Sequence, residues 1–277
     1  MNILGIDFED WFHPELIQKA ITSEKKEPQI IKGIDKILET LRMHNTFATF
    51  FVVGEILEQS PQLLDKIINN GHEIGFHTMK HTRLDKSGFE ETFDDELKTF
   101  NKLTNGRSIG FRAPTFSLNY SSSWIIDRLS ENNYQYDSSV IPAKTNMYGL
   151  PGAQIEPYKI SSSNLEKNDD SSNIMEFPLM VSNFLGFKIP TAGGFYLRFL
   201  PMRLIEKSIN NYEKKFIPAC IYIHSWEMTP EYMPTIPMPI FDNFITYFNI
   251  KKGLRKLEYL LEKFEFTSFQ NYISKNF

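Results

Sequence analysis

Cysteine, net positive charge and long apolar runs are what this chain of 277 residues has little of. It has one cysteine, Cys220, so no disulfide can form within it and nothing requires an oxidising compartment. Thirty Lys and Arg stand against 34 Asp and Glu, and the net charge of -4 gives no overall basic footprint for nucleic acid or anionic lipid. No stretch reaches the roughly 18 apolar residues of a membrane span. The opening Met1-Asn2-Ile3-Leu4-Gly5-Ile6-Asp7 enters a strand with no basic region and long apolar run before it. The expectation is a soluble protein acting on the cytoplasmic side, without a transmembrane segment. A G-x-S-x-G elbow is also missing, which disfavours a serine hydrolase. No internal repeat is found. What is abundant is aromatic: 14% of residues, led by 24 Phe, suited to a well-buried core or to stacking on sugars.

Strand-like and helix-like segments alternate from the start. Ile3 to Ile6 is a short apolar strand running into Asp7-Phe8-Glu9-Asp10. Ile30, Ile31, Ile34, Ile37, Leu38 and Leu41 recur at helical spacing. Thr46 to Val53 reads as a buried strand, rich in Phe, Val and Thr. A helix through Leu63, Leu64, Ile67 and Ile68 stops at Gly71, and Glu73 to Phe76 is the third strand. Phe89 to Leu103 is helical, Ile109 to Arg112 a strand, Trp124 to Leu129 a helix and Tyr134 to Asp137 a strand. From Pro142 to about Asn173 the pattern lapses into a polar Ser/Asn/Asp-rich stretch, expected as a long loop excursion near 143–173. Helical spacing resumes at Leu204 to Tyr212, Ala219 to Ile223 is a strand, and Met228 to Pro239 is extended surface chain. A last helix over 250–265 packs on the core. The length suits two small domains or one α/β barrel, and the unbroken alternation favours a single domain over 1–277. It predicts a parallel sheet or barrel with its site at the C-terminal strand ends; periodicity alone does not choose between barrel and doubly wound sheet.

The chemistry concentrates at two of those strand ends. His77 and His81 are four residues apart and can face one point if the backbone there is helical or tightly turned. A pair cannot hold a metal alone, and the acids after the first strand supply a carboxylate. A His-His-carboxylate set with open positions suits a divalent ion doing hydrolysis. The alternative is that these histidines are ordinary core or surface residues; His72 is expected to pack or hydrogen-bond, and His13 and His44 to lie on the surface.

Eight segments in order extend this reading. They are Asp7 to Phe12, Ala48 to Gly54, His72 to His81, Gly110 to Ser117, Tyr136 to Ser139, Glu176 to Pro178, Gly193 to Tyr196 and His224 to Glu227. Together they resemble the polysaccharide deacetylases of carbohydrate esterase family four, in the branch found with bacterial surface-glycan synthesis. The resemblance implies a distorted (β/α) barrel of about seven parallel strands and metal-dependent removal of an N-acetyl group from a sugar of a glycan. It implies Asp10, His77 and His81 as metal ligands, with zinc or another divalent transition metal as cofactor. Glu9 becomes the general base, Arg112 its orienting partner and His224 the general acid. Another register stays open, with Asp7 as base and Glu9 as ligand, because those two share one face of the strand. The family often tethers its acid histidine with an aspartate in the fourth motif, but after Asp137 this chain reads Ser138-Ser139-Val140; Asp137 is equally readable as a structural cap. Trp11, Phe116, Tyr196 and Trp226 near strand ends are candidates for stacking on the sugar. The expected partner is an acetylated glycan and not nucleic acid, with the oligomeric state open. Hydrolysis of other C–N amides or O-acetyl esters, or glycan binding without turnover, remain alternatives on the same fold.

Overall fold

The computed structural model describes residues 1–21, 26–145, 147–184 and 186–277. Among these the strands are β1 (Asn2–Phe8), β2 (Thr49–Val52), β3 (Glu73–Phe76), β4 (Gly110–Phe111), β5 (Tyr136–Asp137), β6 (Tyr158–Ile160), β7 (Ile174–Glu176), β8 (Val181–Phe184), β9 (Phe187–Pro190), β10 (Cys220–His224) and β11 (Phe266–Thr267). The main sheet runs β10-β1-β2-β3-β4-β5-β7-β6. From β10 to β7 every pairing is parallel, which gives the seven strands expected; β6 joins antiparallel at the edge, and β11 lies parallel to the start of β1. Beyond β7 the chain swings back so that Leu179 bridges Cys220 of β10. With a second bridge from Gly193 to Tyr222, the two ends of the parallel run are brought together by isolated bridges alone, and the sheet curls as a distorted, incompletely closed barrel.

Apolar spacing accounts for the outer helices. Ile30–Met43, Gln62–Asn69, Phe89–Leu103, Trp124–Glu131, Met202–Glu213 and Gly253–Lys263 each bury one stripe against the sheet and leave the opposite face in water. β1 is buried at all seven positions, as a parallel strand covered on both faces must be. Phe76, Phe93, Phe100 and Phe111 pack ring on ring between β3, β4 and the helix Phe89–Leu103, which is where much of the phenylalanine goes.

Register places the chemistry in one tier. Asp7 pairs with His224 and Phe51, Val52 with Phe76, Phe76 with Phe111, Phe111 with Asp137, and Asp137 with Glu176. Strand ends carrying His77, Arg112, Asp137, Glu176 and His224 therefore open at the same level as the acids of β1.

Two expectations are corrected. The segment expected as a loop excursion near 143–173 is packed: it carries β6, buries Tyr158, Ile160 and Leu165, and makes compact turns in which polar side chains cap backbone groups, as Ser161 and Asn164 do. Asn146 within it lies outside the described residues. The helix Gly253–Lys263 is not the last element either; β11 and the helix Phe269–Asn276 follow, and Phe269 is fully buried, stacked on Tyr136.

Candidate active site

Alternation along β1 decides which acids meet the histidines. Side chains two apart share a face, so Asp7 and Glu9 turn into the barrel while Asp10 turns toward the helices. The Glu9 carboxylate accepts the Trp226 indole N–H through Oε1 at 2.9 Å, and its Oε2 lies 2.8 Å from His81 Nε2. The Ser225 hydroxyl fastens the same turn, donating to the Glu9 carbonyl at 2.6 Å and accepting from the Glu9 amide at 3.0 Å. Asp10, expected as the carboxylate of the cluster, is elsewhere. Its Oδ1 accepts the Trp11 amide at 2.8 Å, and its Oδ2 accepts those of Gln29 at 2.7 Å and Ile30 at 3.0 Å. It thereby satisfies the exposed N–H groups at the start of the helix Ile30–Met43.

His77 and His81 sit on a tight turn past β3, not on a helix. Thr78 and His81 both adopt left-handed backbone, at φ 57° and 54°, a strained choice for non-glycine residues that recurs at functional sites. The turn brings the two rings to 4.9 Å between centroids. His77 Nδ1 donates to the Arg112 carbonyl at 2.6 Å, which fixes the tautomer and leaves Nε2 with a free lone pair. Glu9, His77 and His81 each offer one donor atom, all within 4.8 Å of one another, and all three residues are buried. Burial pushes His77 down to about 4, so its ring is neutral at neutral pH. Burial also opposes charge on Glu9, but the surrounding histidines outweigh it and hold the carboxyl far below its ordinary range.

This donor set fits a divalent transition metal. Two neutral imidazoles and an ionised carboxylate are the usual borderline ligands. Glu9 Oε2 is buried, and its near neighbour, His81 Nε2 at 2.8 Å, is a second donor atom of the same cluster without good hydrogen-bond geometry toward it, an arrangement that a cation shared by the two would satisfy.

Beside the cluster, Arg112 pairs with Asp7, Nη1 to Oδ1 at 2.7 Å, with both residues buried. Its other donors go to Ser138, Nε to the carbonyl and Nη2 to the hydroxyl, both at 2.9 Å, and its guanidinium lies 4.1 Å from the centre of the Phe51 ring. Gly5 makes this possible, since a Cβ there would meet Arg112 Nη1 at 2.5 Å. Across from Asp7, His224 Nε2 stands 4.0 Å from Asp7 Oδ2 and 3.7 Å from Glu9 Oε1. Its Nδ1 bonds Glu227 Oε2 at 2.7 Å, and Glu227 Oε1 is held by Arg198 Nε at 2.5 Å. Burial lowers the His224 pKa, but Glu227 and the β1 acids more than reverse this, raising it to about 9.

The tether absent from the fourth motif is therefore supplied by Glu227, three residues after the histidine. That spacing at a strand-to-helix turn is the signal the sequence offered for it; nothing local marks Arg198, which reaches the site by long-range packing. Asp137 takes another role, lying beside Glu176 and accepting the Ser139 hydroxyl at 2.5 Å.

The aromatic candidates divide. Phe116 and Trp226 line the cavity over the cluster, about 130 Å³ in volume, together with Leu16, Tyr148 and Phe195. Trp226 is 6% exposed and stacks on His224 while holding Glu9, so much of its surface is committed to the protein. Trp11 is not at this cavity: it packs with Phe12, Ile17 and Ile236 and donates to the Glu27 carbonyl. Tyr196 is displaced too, since the helix Gly194–Phe199 turns Phe195 to the cavity instead. His13, expected on the surface, is buried between the Asp10 amide and Glu55. His72 packs as expected, and burial pushes it down to about 4.

Comparison with known proteins finds matches over both halves of the chain. A family model described as polysaccharide deacetylase matches residues 31–136, and one described as a domain of unknown function (DUF3473) matches residues 138–274. The chain is 40% identical over 63 residues to the peptidoglycan-N-acetylglucosamine deacetylase PgdA of Listeria monocytogenes, covering 23% of this chain and 14% of that protein. It is 25% identical over 161 residues to the peptidoglycan-N-acetylmuramic acid deacetylase PdaA of Bacillus subtilis, covering 49% of this chain and 58% of that one. The chain thus spans only part of the length of these curated relatives. In fold it is similar to a Mycobacterium smegmatis protein described as a polysaccharide deacetylase, with a TM-score of 0.60 at 14% identity over 99% of this chain and 89% of the other. Over residues 31–136 the chain is thus similar to the polysaccharide deacetylase family.

Proposed function

We propose that this protein hydrolyses the N-acetyl group of a sugar residue in a bacterial glycan or glycan precursor, with a divalent metal, zinc first among the choices, held by Glu9, His77 and His81. The observation that carries the reading is the convergence of that donor set with Asp7–Arg112 on one side and His224–Glu227 on the other, at the C-terminal ends of parallel strands.

An amide resists hydrolysis because its carbonyl is a weak electrophile and its amine a poor leaving group. A bound divalent metal would polarise the carbonyl oxygen and make water a better nucleophile near neutral pH. Asp7 is the general base: Arg112 occupies Oδ1, leaving Oδ2 to take the proton from the attacking water. This is the second of the two registers, with Glu9 moved from base to ligand. His224 is the general acid. Its pKa of about 9 keeps it protonated at neutral pH, and Nε2 faces the cavity to give its proton to the departing nitrogen as the C–N bond breaks. Glu227, fixed by Arg198, holds the imidazole in that orientation. Leu16, Phe116, Tyr148 and Phe195 supply apolar walls for the acetyl methyl and a sugar face.

The test is release of acetate from N-acetylhexosamine oligomers by protein loaded with zinc, with an O-acetylated sugar as competitor. His77→Ala should lose metal uptake and acetate release together. Undiminished release without metal, or release only from the ester, would overturn the proposal.

A further inference from the structure

A groove of about 480 Å³ lies in the part of the chain matched by the domain of unknown function, between the β8–β9 hairpin and the helix Met202–Glu213. None of its lining residues belongs to the cavity over the metal donors. Four of them are cationic, Lys188, Arg203, Lys207 and Lys215, and none is a carboxylate. In a chain of net charge -4 that is a local inversion which the overall balance averages away.

The helix builds it deliberately. Arg203, Lys207 and Asn211 recur every four residues and so share one face, and Lys215 follows in the turn just past the helix end. Like charges at that spacing repel. The helix's acids are engaged elsewhere, Glu206 with Lys263 and Tyr259 and Glu213 with Asn2. Lys188 adds its charge from β9, held by the carbonyls of Pro151 and Ala153. Around these cations stand phenylalanines with little reason to face water: Phe184 and Phe187 on the hairpin are 54% and 74% exposed, and Phe216, next to Lys215, is 95% exposed.

Cations beside exposed aromatic rings suit a surface that is anionic outside and apolar beneath. We propose that this groove and hairpin dock the protein on an anionic phospholipid bilayer, the cations meeting lipid phosphates and the phenylalanines entering the headgroup boundary. Such docking would hold the catalytic barrel beside membrane-borne glycans, but the inference rests on the groove alone and stands or falls independently of the deacetylase reading.

The experiment is co-sedimentation of the full chain with vesicles of phosphatidylcholine alone or with phosphatidylglycerol added, at low and physiological salt. Binding is expected only with phosphatidylglycerol, and weaker as salt rises. Lys207→Glu with Lys215→Glu should weaken it by about tenfold or more. Phe184→Ser with Phe187→Ser should leave the low-salt attraction but abolish what persists at physiological salt. All four side chains are exposed, and thermal melts check that each variant is folded. Equal binding to both vesicles, no binding to either, or wild-type affinity in the charge-reversed variant would overturn the proposal. So would saturable binding of inorganic diphosphate by a protein that ignores vesicles, since the groove would then serve a free phosphate ligand.

Discussion

Arg112 and Asp7, 105 residues apart, form an ion pair at 2.7 Å in which both side chains are buried. Removing one member of such a pair leaves the other charge buried without a partner, which costs about 3–5 kcal/mol. Arg112→Met should therefore lower the unfolding free energy by that amount and remove activity. Asp7→Asn should retain metal uptake while kcat falls about 10²–10⁴-fold, the usual worth of a general base. Gly5→Ala separates position from charge: the added methyl displaces the guanidinium, so activity should fall although every charged residue is kept. Acetate release and metal content, measured on the same samples, check all three; metal loss in Asp7→Asn would make Asp7 a ligand instead of the base.

The two registers at the end of β1 are distinguished by a pair of substitutions. Glu9→Ala should abolish stoichiometric metal uptake. Asp10→Ala should leave uptake intact and cost about 1 kcal/mol, the usual loss of a helix-start acceptor. Metal analysis and urea denaturation of both proteins decide it, and the opposite pattern would put Asp10 back in the cluster.

The spacing of His77 and His81 and the acids after β1 place the donors near one strand-end tier, because parallel strands open their C-terminal ends on one side. What composition and spacing leave undecided is which acid turns inward, since Asp7, Glu9 and Asp10 differ only by the parity of their position and by where the strand ends. The helix Ile30–Met43 resolves it by drawing Asp10 to its first amides. Arg198 was illegible for another reason: its partners Glu227, Ile245 and Phe248 lie 29 to 50 residues away, and only the folded chain assembles them. The packed 142–173 segment hid its strand because β6 has only three residues amid polar turns.

The Glu227 tether has a testable consequence of its own. Glu227→Gln keeps the shape but removes the charge between His224 and Arg198. Metal uptake through Glu9, His77 and His81 should persist, and KM should stay near its wild-type value, while kcat falls as the acid loses its orientation and its raised affinity for a proton. Steady-state kinetics with parallel metal analysis checks this. A fall confined to KM would assign Glu227 to substrate binding instead.

Asp137 and Glu176 give the pH dependence of the fold. Both are fully buried, and each has one oxygen, Asp137 Oδ2 and Glu176 Oε2, without a partner among the described groups. Two such oxygens on adjacent carboxyls are satisfied by one shared proton. Burial accordingly pushes Asp137 up to about 6, and burial plus the neighbouring acid push Glu176 well above its ordinary range. A carboxyl whose pKa is raised by folding contributes stability that is fully present below its unfolded value near 4 and is lost as pH rises through the folded value. The pair's own contribution, read as the difference between wild type and Glu176→Gln in urea denaturation of metal-free protein, should therefore decline from about pH 4 through 6 and beyond; His72 and His77, which burial lowers to about 4, act in the opposite sense but equally in both proteins. Glu176→Gln supplies a permanent N–H donor to Asp137 and removes the ionisation that high pH forces on the pair, so its stability should gain on the wild type over that range and exceed it at pH 8. A variant as steep as the wild type would mean that the two acids share no proton.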